Sequence, residues 1–250
     1  MLGVFAGILA TLAAVGFTQE QLGQFAILVA AGGGLGLAIG RKVSPMQLPQ
    51  TVAALHSVVG LAAVMTSAGS VLGSDPEHLT TLHLTTAYLG VLIGGVTFTG
   101  KLTYRVVWIR LPLGSILAFL KLAGRMSSKP LILPGRHLIN SSLLGANILS
   151  MGTFLAMAPT APLIGAGCLA ANTVLSFAKG WTTSAAIGGA DMPVLVTVLN
   201  AYSGFALVAE GFMLDNMLLT SVGSLIGASG SILSYIMVGS LFATRSLYGH

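Results

Sequence analysis

Residues Leu48–Met65 read LPQTVAALHSVVGLAAVM, a run with no Lys, Arg, Asp or Glu and with His56 near its middle. A helix crossing the hydrocarbon core of a bilayer needs about 20 predominantly apolar residues. Continued to residue 71, this run meets that length and reads as a transmembrane helix. The question it raises is why an ionisable imidazole stands so deep in it.

The rest of the chain has the same character. Of its 250 residues, 54% are hydrophobic and 7% charged, and the mean hydropathy is +0.92. Soluble domains carry about 25% charged residues, so this chain cannot cover a water-facing surface and reads as an all-α, polytopic membrane bundle. Its 33 glycines suit close helix approach in lipid. The single cysteine, Cys168, excludes an internal disulfide and a cysteine-based metal site. A net charge of +5 does not imply nucleic acid, because basic residues of membrane proteins gather on cytoplasmic loops. No basic n-region or cleavage site marks a signal peptide. The first apolar run begins at Met1, and the chain is expected to be part of something larger.

Apolar runs predict spans at 2–17, 21–40, 47–71, 79–100, 137–158, 161–180, 190–213 and 217–241. Prolines punctuate the boundaries at Pro45, Pro49, Pro76, Pro159 and Pro162. Every Lys and Arg falls at the end of an even-numbered span: Arg41 and Lys42, the series from Lys101 to Arg136, Lys179, and Arg245. Glu20, Asp75, Glu77 and Asp215 mark the odd-numbered ends. The positive-inside rule then puts both termini on the cytoplasmic or matrix side. At about 1.5 Å per residue, His56 lies roughly 13 Å into span 3 and Asn200 about ten residues into span 7, both counted from the inner side. Ser229 and Gly230 lie about twelve residues into span 8 from the outer side. All four are expected near the bilayer midplane.

A mid-membrane ionisable side chain is costly and is a functional candidate by default. The ordinary alternative for His56 is a neutral ring bonded to a facing helix; the functional reading is a proton relay, since imidazole titrates near neutral pH. Asn200, level with it on a parallel helix, can bond either protonation state of that ring, or serve only as interhelical glue. His83, near Asp75, Glu77 and His78, and Glu210, near the outer end of span 7, could form an outer proton port or simply a solvated rim. Asp191, in GGADMP, reads as an N-cap with proline early in the helix. The glycine run AAGGGLGLAIG (Ala30–Gly40) lacks the spacing and preceding strand of a dinucleotide fingerprint and reads as helix packing, as does GASGS (Gly227–Ser231). There is no CxxC, HExxH, Walker or GxSxG pattern, so neither a metal nor a bound cofactor is expected on this chain.

Five stretches together resemble one family. LPQTVAALHSVVGLAAV (48–64), GGVTFTG (94–100), SSKPLILPGRH (127–137), GGADMPVLVTVLNAYSGFALVAEGFML (188–214) and GASGSILSYIM (227–237) are similar to the membrane domain of proton-translocating nicotinamide nucleotide transhydrogenase, in its beta-subunit portion. The resemblance implies a chain that couples hydride transfer between NAD(H) and NADP(H), held by separate soluble domains, to proton movement through the membrane. Its partners would be those two domains, the membrane helices of the alpha-subunit portion and a second protomer. The location would be the bacterial cytoplasmic membrane or the mitochondrial inner membrane.

Residue by residue, the resemblance makes His56 the protonatable site and Asn200 its polar companion. It assigns Gly227, Ser229 and Gly230 to the helix that signals to the NADP(H) domain, and Asp191 to the place where that domain docks. Arg245 matches a family arginine, but with two extra residues of spacing. Other departures are plain. Eight spans are predicted where the family portion has nine. Thr86 stands where some members carry glutamate. An NADP(H)-binding domain is expected after His250. The basic, aromatic segment KLTYRVVWIRLPLG (101–114) is inserted in the inner loop 101–136, where the family runs almost directly on. Two other functions fit the composition: a secondary transporter or channel with His56 in a solute path, and an inert assembly scaffold.

Overall fold

The computed structural model describes residues 18–75, 79–98, 129–130, 133–188 and 191–248, with isolated positions 6, 10, 13 and 16; the side chains of 50 and 241–248 are not described. The first predicted span, the insert at 101–114 and most of the inner loop therefore lie outside the described residues. What is described is all-helical, with seven helices long and apolar enough to cross a membrane. They are α1 (Gln19–Gly40), α2 (Leu48–Gly73), α3 (Thr81–Phe98), α4 (Arg136–Met157), α5 (Pro162–Ala185), α6 (Met192–Met213) and α7 (Met217–Tyr248). Two ends differ from the sequence reading: α5 runs to Ala185, and α7 continues to Tyr248. Both extensions hold polar or charged residues, which a hydropathy count places outside the membrane although nothing in them breaks a helix.

The chain divides into two units, residues 1–46 and 47–250. In the first, α1 starts from a complete capping box. Thr18 accepts from the backbone N–H of Gln21, and the Gln21 side chain accepts from the backbone N–H of Thr18, satisfying two donors a helix start leaves open. None of its residues is buried, and among the described residues nothing lies within 4 Å of a Cβ position on the glycine run.

In the second unit α3 is central, packing against α2, α5 and α6, with a lighter contact to α4. Small residues let the backbones close up, which is how helices associate where lipid removes the hydrophobic drive between them. Along α2 and α3 the meeting points run antiparallel, Gly60 and Ala63 against Gly94 and Ser67 against Gly90. A Cβ on Gly94 would stand 2.8 Å from the Gly60 carbonyl oxygen. A buried polar layer ties α3 to α4 and α5. The Tyr88 hydroxyl donates to the Asn147 carbonyl at 2.9 Å, and the Asn172 amide donates to the Tyr88 carbonyl at 3.0 Å. Around it, Leu84, Val91, Phe154 and Leu169 make the main apolar core.

The turn between α6 and α7 holds Asp215 at φ +50°, a conformation Asp tolerates better than most residues. Asn216 then accepts the Leu219 N–H at the start of α7. Outward faces remain apolar: Leu55, Val58, Met65 and Leu72 on α2, and Leu218, Leu225, Ile232 and Ile236 on α7, are exposed. In a soluble protein such surface would be a liability; in a bilayer it suits contact with lipid or with further membrane helices.

Candidate proton-relay site

His56 projects from α2, where Ala53, Ser57 and Gly60 are buried and Leu55, Val58 and Val59 are exposed. The ring lies at the border of those faces and reaches α6. Its Nδ1 is 3.0 Å from the Ser203 hydroxyl oxygen, and that hydroxyl also donates to the Leu199 carbonyl at 2.9 Å. The sequence reading had paired His56 with Asn200 by depth. Ser203 makes the direct bond, and Asn200, three residues earlier, stands about one turn away on nearly the same face. Depth counting found the right helix and level, but not the rotation of α6 about its axis.

The opposite side of α6 carries α7. Gly204 lies against Gly223 and Gly227, Ala201 against Gly230, and Gly211 against Thr220, so that a Cβ on any of these glycines of α6 would meet α7 backbone. On α7, the face of Gly227 is closed by the Phe205 ring, about 3 Å from where a Cβ would stand. Farther toward the N-terminus of α6, the Ser234 and Thr197 hydroxyl oxygens lie 2.9 Å apart. One short stretch of α6, Leu199–Phe205, therefore touches the imidazole on one side and the small-residue face of α7 on the other.

Other residues singled out in the sequence fall in different places. Gly227 and Gly230 join this assembly, but Ser229 does not. It is exposed, on the side of α7 shared with Leu225 and Ile232, and bonds its own helix at the Ile226 carbonyl. Neighbours in sequence are about 100° apart on a helix, so Ser229 and Gly230 cannot share one contact. His83 on α3 meets the Ser70 hydroxyl of α2 at 3.0 Å. Glu210 on α6 faces Thr66 of α2. Thr66 and Ser70 are four residues apart, so the two ionisable groups converge on adjacent turns of one helix. Thr86, where an acidic relay was in question, is buried and bonds its own helix at Leu82 and His83. Asp191 stands at the N-terminal boundary of α6, as the proline at its second position suggests, but its side chain makes no capping hydrogen bond. Arg245 lies within α7, with its side chain outside the described residues.

Sequence reasoning missed Ser203, Thr66 and Ser70. A serine inside a membrane helix is common and carries no signal of its own; Ser203 could have been found by noting that it lies three residues from Asn200. Among the described residues no group of His, Cys, Asp and Glu could hold a metal ion. What the site can do chemically is accept and release a proton at one imidazole.

Comparison with known proteins supplies the context for that chemistry. The family model for the NAD(P) transhydrogenase beta subunit matches residues 1–247. NAD(P) transhydrogenase subunit beta of Rhodospirillum rubrum is similar: two sequences from that species are each 36% identical over 254 residues, covering 99% of this chain and 50% of the relative. The chain thus spans about half the length of the curated relatives it matches.

Proposed function

Because the chain belongs to the NAD(P) transhydrogenase beta-subunit family, and is a bundle of membrane-spanning helices, we propose that it is the proton-conducting part of that enzyme. In this reading His56 takes up and releases a proton as its access alternates between the two sides of the membrane. Hydride passes between NAD(H) and NADP(H) on soluble domains, while these helices bind neither nucleotide and transfer no hydride alone. Its partners are those domains, the membrane helices of the alpha-subunit portion and a second protomer.

The observation that carries the reading is the position of α6. It holds the His56 ring through Ser203 and packs α7 through Gly204 and Ala201. A shift of α7 against α6 would move the hydrogen-bond partner of the imidazole. The link is reciprocal: if the nucleotide state changes the proton affinity of His56, protonation changes nucleotide affinity by the same factor. Asn200 lines the approach to the ring. Gly227 and Gly230 form the bare backbone surface on which α7 shifts, and Ser229 faces whatever borders the other side of that helix. Asp191, whose carboxylate makes no cap bond, docks the NADP(H)-binding domain together with Arg245. Glu210 and His83, set against adjacent turns of α2, form the outer port.

The test is proton pumping by the complete complex in vesicles. His56→Ala should abolish proton transport coupled to hydride transfer. Pumping at the wild-type rate would sink the assignment.

A further inference from the structure

We propose that Ser203 is a positioning residue that fixes the tautomer of His56, so that Nε2 is the nitrogen that exchanges the proton. The inference rests on the reading of His56 as the proton site and adds which atom does the work and what holds it ready.

The Ser203 hydroxyl has one hydrogen and two lone pairs. Its oxygen lies 2.9 Å from the Leu199 carbonyl oxygen, and in that contact the hydroxyl is the donor. The same oxygen is 3.0 Å from His56 Nδ1. With the hydroxyl hydrogen in that contact, the 3.0 Å approach is a hydrogen bond only when Nδ1 carries a hydrogen and donates it. A neutral imidazole has one N–H, so Nε2 is left with its lone pair. The neutral ring is thereby held as the Nδ1–H tautomer, a fixed orientation of the kind that makes one ring nitrogen the acceptor.

Proton bookkeeping follows. An incoming proton bonds the Nε2 lone pair and gives imidazolium, with both nitrogens as donors and the Ser203 contact unchanged. On release the proton leaves Nε2. Loss from Nδ1 would set two lone pairs against each other at the Ser203 contact, unless the hydroxyl gave up its bond to Leu199. Uptake and release therefore use the same nitrogen, and the reorganisation at α6 is small. Because Ser203 is buried and is followed in sequence by Gly204, whose backbone touches Gly223 and Gly227 of α7, a movement between α6 and α7 acts on this hydrogen bond first.

The experiment uses the complete transhydrogenase complex in lipid, with histidine labelled with 15N and His56 signals assigned by difference from His56→Asn. At a pH where the ring is neutral, solid-state NMR should show a protonated Nδ1 and an unprotonated Nε2. In Ser203→Ala the protonated nitrogen should shift toward Nε2, and proton-coupled turnover should fall about tenfold, the scale of one lost hydrogen bond. Ser203→Thr, which keeps the hydroxyl, should retain both properties. A neutral wild-type ring protonated at Nε2 overturns the proposal. So does Ser203→Ala with an unchanged tautomer, or with an altered tautomer and unchanged turnover. Wild-type pumping by His56→Asn would instead defeat the parent reading, while the NMR result on the tautomer would stand.

Discussion

Gly230 of α7 lies directly against Ala201 of α6: a Cβ at Gly230 would stand 2.7 Å from the Ala201 amide nitrogen and 2.9 Å from its Cα. The obstacle is backbone, which cannot rotate away as a side chain could. The contact lies one residue beyond Asn200 and two before Ser203, so the packing of α7 and the setting of the imidazole share one turn of helix.

Gly230→Ala should therefore force α6 and α7 apart, at a cost of about 1–3 kcal/mol. Gly239→Ala, on the same helix with nothing within 4 Å of its Cβ position, should be neutral or slightly stabilising, since Ala is favoured over Gly in helices by at most about 1 kcal/mol. Denaturation of the purified complex in detergent would compare the two; equal stability would contradict the contact.

Tyr88→Phe removes the phenolic hydrogen bond to the Asn147 carbonyl while keeping the ring that packs 5.5 Å from Phe154. A loss of about 1 kcal/mol is expected, the scale of interhelical hydrogen bonds in membranes. Asn172→Ala should cost more, because it also opens space in a fully buried position. The same denaturation measurement ranks them.

Asn200→Ala should slow coupled proton transport less than His56→Ala does. Its side chain stands about one turn from the residue that bonds the ring, so its loss alters the approach to the imidazole without removing the proton acceptor. Vesicle proton uptake driven by nucleotide exchange gives the ratio, and an Asn200→Ala defect as deep as that of His56→Ala would count against this division.

Glu210→Gln keeps a group able to accept from Thr66 but cannot carry a proton. If Glu210 belongs to the outer port, the change should slow coupled proton transport in vesicles while leaving the complex as stable as the wild type. An unchanged rate would make the Thr66–Glu210 pair simply a link between α2 and α6.

Thr18→Ala breaks the capping box that starts α1. A cost of about 1 kcal/mol is expected, read as early fraying of residues 18–22 in amide hydrogen exchange, with the rest of α1 unaffected.

Seven of the spans, the membrane location and the family were legible in the sequence because each is carried by local composition or by contiguous words. A bilayer demands a length of apolar helix whatever that helix touches, so LPQTVAALHSVVGLAAVM could be assigned without knowing its neighbours. The constant rise per residue also pointed from His56 to α6, the helix its ring meets. The partner residue was not legible. Whether Asn200 or Ser203 meets the ring depends on how α6 is turned about its axis, and that angle is set where Gly204 and Ala201 close on Gly227 and Gly230 of α7. By the same packing, Gly230 enters the contact and Ser229, its neighbour in sequence, faces away. The sequence by itself determined that an imidazole would sit within a membrane-spanning helix. Only the tertiary structure decided which hydroxyl would hold it, because helix rotation is fixed by the steric fit of glycines that lie far apart in the chain.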